Sequence, residues 1–138
     1  MFNVLGQINW LAVAAATLAT AMLGALWFTA LFGKYYTIAL GREGQPPPKM
    51  TPIFIAGPFL CGLVTCIASA ILMRALGISY FADGLVFGLI VGLGLLAATT
   101  VNTGINPNIP HPILYGLISG SYFLVTGVIS SLILTALR

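Results

Sequence analysis

The side chains able to do chemistry are few and far apart. The charged ones are Lys34, Arg42, Glu43, Lys49, Arg74, Asp83 and Arg138, and His111 is the single histidine. No two carboxylates stand close enough in sequence to suggest a general acid–base pair. One histidine without a cysteine or acid at ligand spacing cannot hold a metal, so neither a metal nor another cofactor is expected. His111, between Pro110 and Pro112, is a weak candidate for a general base, against the plainer role of a loop residue. Tyr122 is the second weak catalytic candidate. A phenol deep in an apolar stretch needs a partner, which is either another part of the protein or a ligand shared with Trp27, Thr99 and Thr100. Asn102 and Asn106 could gather beside His111 around a polar ligand, or satisfy the backbone of their own turn. Arg74 and Asp83 are expected to form an interfacial ion pair across a short turn.

The elements that must position these residues follow from the composition. Of 138 residues, 59% are hydrophobic and 5% charged, where a soluble domain carries about a quarter charged. The mean hydropathy is +1.09. Such a chain is neither a soluble globule nor a disordered segment, and its formal net charge of +3 comes from too few charges to make a nucleic-acid-binding face. Crossing a bilayer takes about 20 apolar residues. The uncharged stretches hold four such helices, expected at residues 8–32, 52–74, 83–103 and 113–137. The reading is an all-α polytopic membrane protein, one antiparallel four-helix bundle using the whole chain.

Punctuation along the chain supports these bounds. Gly33-Lys34-Tyr35-Tyr36 reads as the close of the first helix, and Pro46-Pro47-Pro48 as a stiff extended loop. Thr51-Pro52 reads as a cap and first-turn proline, and Asp83 as the N-cap of the third helix. An even number of crossings places both termini and the Tyr80 turn on one side, the near side, and the two longer loops on the far side. Lys34, Arg42 and Lys49 on the far side against Arg74 and Arg138 give a slight positive-inside bias toward a cytoplasmic far side. The expected home is the bacterial cytoplasmic membrane.

Small residues recur at helical spacing. Gly84, Gly88 and Gly92 form a smooth ridge on the third helix; Gly116 and Gly120 lie on the fourth; Ala12, Ala16, Thr20 and Gly24 lie on the first. Such ridges let membrane helices approach closely, within the bundle or between copies. Cys61 and Cys66 are placed wrongly around one helix for a disulfide and read as buried structural thiols. The glycine-rich stretch 84–94 lies inside a span without a following Lys-Ser/Thr, so it is not a phosphate loop.

Asn9-Trp10-Leu11-Ala12-Val13, Leu23-Gly24-Ala25-Leu26-Trp27-Phe28 and Leu31-Phe32-Gly33-Lys34 resemble the first helix of a small four-helix membrane family of bacteria and fungi. That family is known only as a domain of unknown function. Asp83-Gly84, Ala98-Thr99-Thr100 with Asn102, and Gly120-Ser121-Tyr122 also resemble its pattern. The resemblance implies the architecture and carries no catalytic residues over; where members often have His after the fourth-helix Tyr, this chain has Phe123. It singles out Asn9, Trp27, Thr99, Thr100, Asn102 and Tyr122. Three functional classes remain open. The first is a non-catalytic protein that self-associates or joins a larger membrane complex and holds a membrane lipid or other apolar molecule. The second is a small transporter or channel, and the third a membrane enzyme acting on a lipid, quinone or isoprenoid.

Overall fold

The computed structural model describes residues 2–138, and every regular element among them is helical. The first span, Trp10–Leu31, is α1 (Trp10–Leu26) followed by a π-helical turn over Trp27–Leu31. The second is α3 (Pro52–Ala75), entered after the short α2 (Gly33–Ala39) and the Pro-rich loop. The third, Phe81–Gly104, runs through α4 (Phe81–Leu89), a π-helical segment (Ile90–Ala97) and α5 (Ala98–Gly104). The fourth is α6 (Pro112–Ala136). All four are long and apolar enough to cross a membrane.

Local chemistry sets where these helices begin and end. Asn9 caps α1, its Oδ1 accepting from the N–H groups of Leu11 (3.0 Å) and Ala12 (3.3 Å). Its amide Nδ2 donates to the carbonyl of Leu137, which clasps the start of the first span to the end of the fourth. Pro52 and Pro112 occupy first-turn positions, where a missing N–H is harmless. Gly41 (φ 65°) and Gly77 (φ 70°) supply the left-handed residues that end α2 and α3. Beyond them Arg42 N–H reaches the Thr37 carbonyl at 3.0 Å and Ile78 N–H reaches Met73 at 3.0 Å, satisfying carbonyls the helices leave open.

The fourth span is the hub. The third packs along one side of it, the first along another, and the second leans mainly on the first. Third and fourth spans meet glycine ridge to small-residue ridge, in antiparallel register. Gly84 faces Thr135, Gly88 faces Ser131 and Gly127, and Gly92 faces Gly127 and Leu124. A Cβ on Gly92 would lie 2.8 Å from the Leu124 carbonyl oxygen, and one on Gly127 would lie 2.5 Å from Gly92 Cα. The backbones therefore touch directly. Farther along, Gly116 and Gly120 admit Val101. On the first span Ala12, Ala16 and Thr20 are buried. The main apolar cluster joins Ala12, Val13, Ala16, Cys66, Ala70, Met73, Phe87, Val91 and Leu134, all toward the near side.

Several expectations need correction. Gly33 does not end the first helix: Phe32 breaks it (φ −123°, ψ 10°) and Gly33 opens α2, an element absent from the sequence reading. The third span starts at Phe81 with Tyr80 as N-cap, so Asp83 lies within the first turn and does not cap it. Cys66 is buried but Cys61 is exposed, and both thiols are free. The third-span ridge is covered by the fourth span of the same chain, which removes it as a face for a second copy.

Candidate functional site

The far ends of the first span and α2 meet the beginning of α6 in an aromatic cluster. A π-helical turn carries one more residue than an α-turn would; here Phe32 N–H bonds the Trp27 carbonyl at 2.9 Å. The widened turn holds Trp27 and Phe28 against α6. Trp27 Nε1 donates to the Ile118 carbonyl at 3.0 Å, and the Tyr122 hydroxyl donates to the Thr20 carbonyl at 3.1 Å. The two polar side chains thus tie the helices in both directions. Gly24 makes room: a Cβ there would lie 2.7 Å from the Tyr122 hydroxyl.

The rings form a continuous set. Tyr122 packs edge-on against Phe28 (5.1 Å between centroids) and Phe123 (5.0 Å), and tilted against Trp27 (6.1 Å). Phe28 continues to Tyr36 (4.8 Å), Tyr36 to Tyr115 (6.0 Å), and Trp27 to Phe32 (4.8 Å). Offset and edge-on pairs of this kind each add about 0.5–1.5 kcal/mol beyond the area they bury. Phe28, Tyr36 and Tyr115 were not among the site residues expected from the sequence. The four-residue spacing of Phe28, Phe32 and Tyr36 was the available signal. Trp27 is half-buried and bonded to backbone.

Tyr36 lies outside the spans. Burial pushes its phenol above the usual value of 10.0, Tyr115 adds to the shift, and Arg42 partly offsets it. A raised pKa favours the neutral phenol in the fold. Its contribution to stability is therefore intact below about pH 10 and is lost as pH rises through the folded value. In an alkaline ultraviolet titration, Tyr36→Phe is expected to remove one late-ionising phenol. Loss of a normally titrating one instead would mean the ring is solvated.

The other candidate residues do not join this cluster. Thr99 is exposed, Thr100 is half-buried and Asn102 is exposed. Asn106 builds its own loop, with Nδ2 donating to the Thr103 carbonyl (2.6 Å) and Oδ1 accepting from Asn108 N–H (2.8 Å). His111 is exposed at the N-cap of α6, its backbone N–H donating to the Ala39 carbonyl (3.3 Å). An open groove of about 420 Å³ beside it is otherwise lined by Pro110, Pro112, Ile113, Leu114 and Leu117. Tyr122 lies eleven positions along the chain from His111, about 16 Å along a helix, so the two cannot work on one atom. On the near side, Arg74 does not turn to Asp83: its Nε donates to Gln7 Oε1 at 3.2 Å. An uncharged partner of this kind is invisible to an inventory of charges. Among the described residues, no group of three or more His, Cys, Asp or Glu could hold a metal ion.

Four long apolar helices, the first and fourth tied through backbone carbonyls, define an α-helical polytopic membrane protein. Residues 11–135 match the DUF1761 family, described as a protein of unknown function, and the chain belongs to that family. No curated protein and no solved structure matches it.

Proposed function

We propose that this chain is a non-catalytic membrane protein that works as an oligomer of identical subunits, joined through the second span. The observation that carries this reading is the bareness of that span. Only 17% of its apolar window is buried, against 44% of the fourth, and its buried residues, Cys66, Ser69, Ala70 and Met73, all lie in the near half. Residues 52–61 are exposed except half-buried Gly57. Lipid can cover an apolar face, but it gives no reason for notches. A Cβ on Gly62 would meet nothing within 4 Å, and one on Gly57 only Ile53 of its own helix. A helix-interior glycine costs about 1 kcal/mol relative to alanine, and close approach by a second helix is its usual return in a membrane. The aromatic cluster supports a structural role, since its two strongest donors are engaged by backbone. We place the protein in the bacterial cytoplasmic membrane with the Pro-rich loop inside, following the bias of basic residues.

Cys61 is exposed on this face and provides the test. Oxidative cross-linking in native membranes is expected to give a species of twice the 14.4 kDa subunit mass. It should vanish in Cys61→Ala and persist in Cys66→Ala. A monomer both in cross-linked membranes and in native mass spectra from gentle detergent would overturn the proposal.

A further inference from the structure

On the near side, where the first, second and fourth spans come together, a half-open crevice of about 40 Å³ is walled by Gln7, Asn9, Arg74 and Arg138, with Ala70 and Met73 among its apolar floor. Arg74, in the last turn of α3, and Arg138, just beyond the end of α6, both line it. Arg74 is half-buried, and its Nε is held by the neutral Gln7 amide rather than by a carboxylate. Neither carboxylate side chain of the protein, Glu43 or Asp83, lines the crevice. Arg74 sits in the last turn of α3, where a cation complements the helix dipole, but that effect does not require two cations to share one cavity.

Two like charges beside a partly apolar crevice repel each other, and half-buried Arg74 is partly desolvated as well. An anion between them would relieve both costs. Guanidinium groups bind tetrahedral oxyanions through paired N–H donors, and the volume suits a compact group about the size of three waters. The crevice also lies at the near ends of spans one, two and four, where their apolar stretches stop. We propose that it is a binding site for a phosphate group, with Arg74 and Arg138 as the paired donors, Gln7 orienting Arg74 and the apolar floor facing the lipid. The phosphate is either that of an anionic lipid headgroup or a free ion. The site does not depend on the dimer proposed above.

The test uses the full chain in a neutral detergent, offered phosphatidylglycerol, phosphatidylcholine or inorganic phosphate, and read by native mass spectrometry and thermal unfolding. Phosphatidylglycerol is expected to be retained over phosphatidylcholine by about tenfold, because both carry the phosphate but the choline ammonium cancels its charge and is repelled by the two arginines. Arg74→Gln with Arg138→Gln should abolish that preference, while the far-side pair Arg42→Gln and Lys49→Gln keeps it. Thermal stabilisation by inorganic phosphate, lost in the arginine variants, without a lipid preference would assign the site to the free ion. The proposal fails if neither probe binds preferentially, or if a folded double variant keeps the full effect. Should the double variant not fold, Arg138→Gln alone carries the test, because Arg138 is exposed. Cys61 cross-linking of the same variants separates this outcome from failure of the dimer.

Discussion

Gly127→Leu is expected to lower the stability of the bundle by about 3 kcal/mol or more, the upper range for overpacking a tight core. At this position the obstacle is main chain: Gly92 Cα at 2.5 Å, Gly92 N at 2.8 Å and the Gly88 carbonyl oxygen at 2.9 Å from any added Cβ. Backbone of a packed helix cannot swing aside as a flexible side chain would, so the third and fourth spans must separate. Gly94→Leu is the matched control, since a Cβ there meets nothing within 4 Å; it should lose no stability, and the better helix former can add up to about 1 kcal/mol. Titration with sodium dodecyl sulfate from a mild detergent measures both. Equal behaviour of the two variants would mean that the spans are not in backbone contact.

Tyr122→Ala should cost about 3 kcal/mol or more, because it empties the middle of the aromatic cluster and the surrounding rings cannot all collapse into the space. The packing loss persists in a bilayer, where the transfer term is small but the missing contacts are not. Tyr122→Phe keeps the ring and loses only the bond to the Thr20 carbonyl, for about 1 kcal/mol. The ratio between the variants is the informative quantity. If phenylalanine proves as damaging as alanine, the hydroxyl matters more than the ring, and a role beyond clamping the first and fourth helices would have to be sought.

The number of spans was readable from the spacing of seven charged residues, and the start of the second from Thr51-Pro52. The ridge Gly84-Gly88-Gly92 was readable as well, but its opposite wall was not. Gly127, Ser131 and Thr135 share the same four-residue spacing, and two of them are polar residues that can pass for ordinary helix surface. The placement of Thr99 and Thr100 was beyond a helical wheel of constant pitch. Between Ile90 and Ala97 the helix is π-wound, so the stripe facing the fourth span steps from Gly92 to Ala97 and then to Val101. A regular count by fours from Gly92 lands on Leu96 and Thr100, each one position short of Ala97 and Val101, which lie against Gly120 of α6. Arg74 was misread for a different reason: Gln7 has no charge, and its position near Arg74 is decided only by how the chain ahead of the first helix folds back.

The central place of the fourth span bears on how the protein is made. Synthesis runs from the amino end, and segments emerge in that order. The first and second spans can pair as soon as both are inserted. The third then enters the bilayer with its glycine ridge uncovered, because the wall it fits is still to be translated. Thr20, Gly24 and Trp27 likewise wait for Tyr122 and Ile118, and Asn9 waits for Leu137. Insertion and packing are thus separate stages, and it is the arrival of the fourth span that turns four inserted helices into one body.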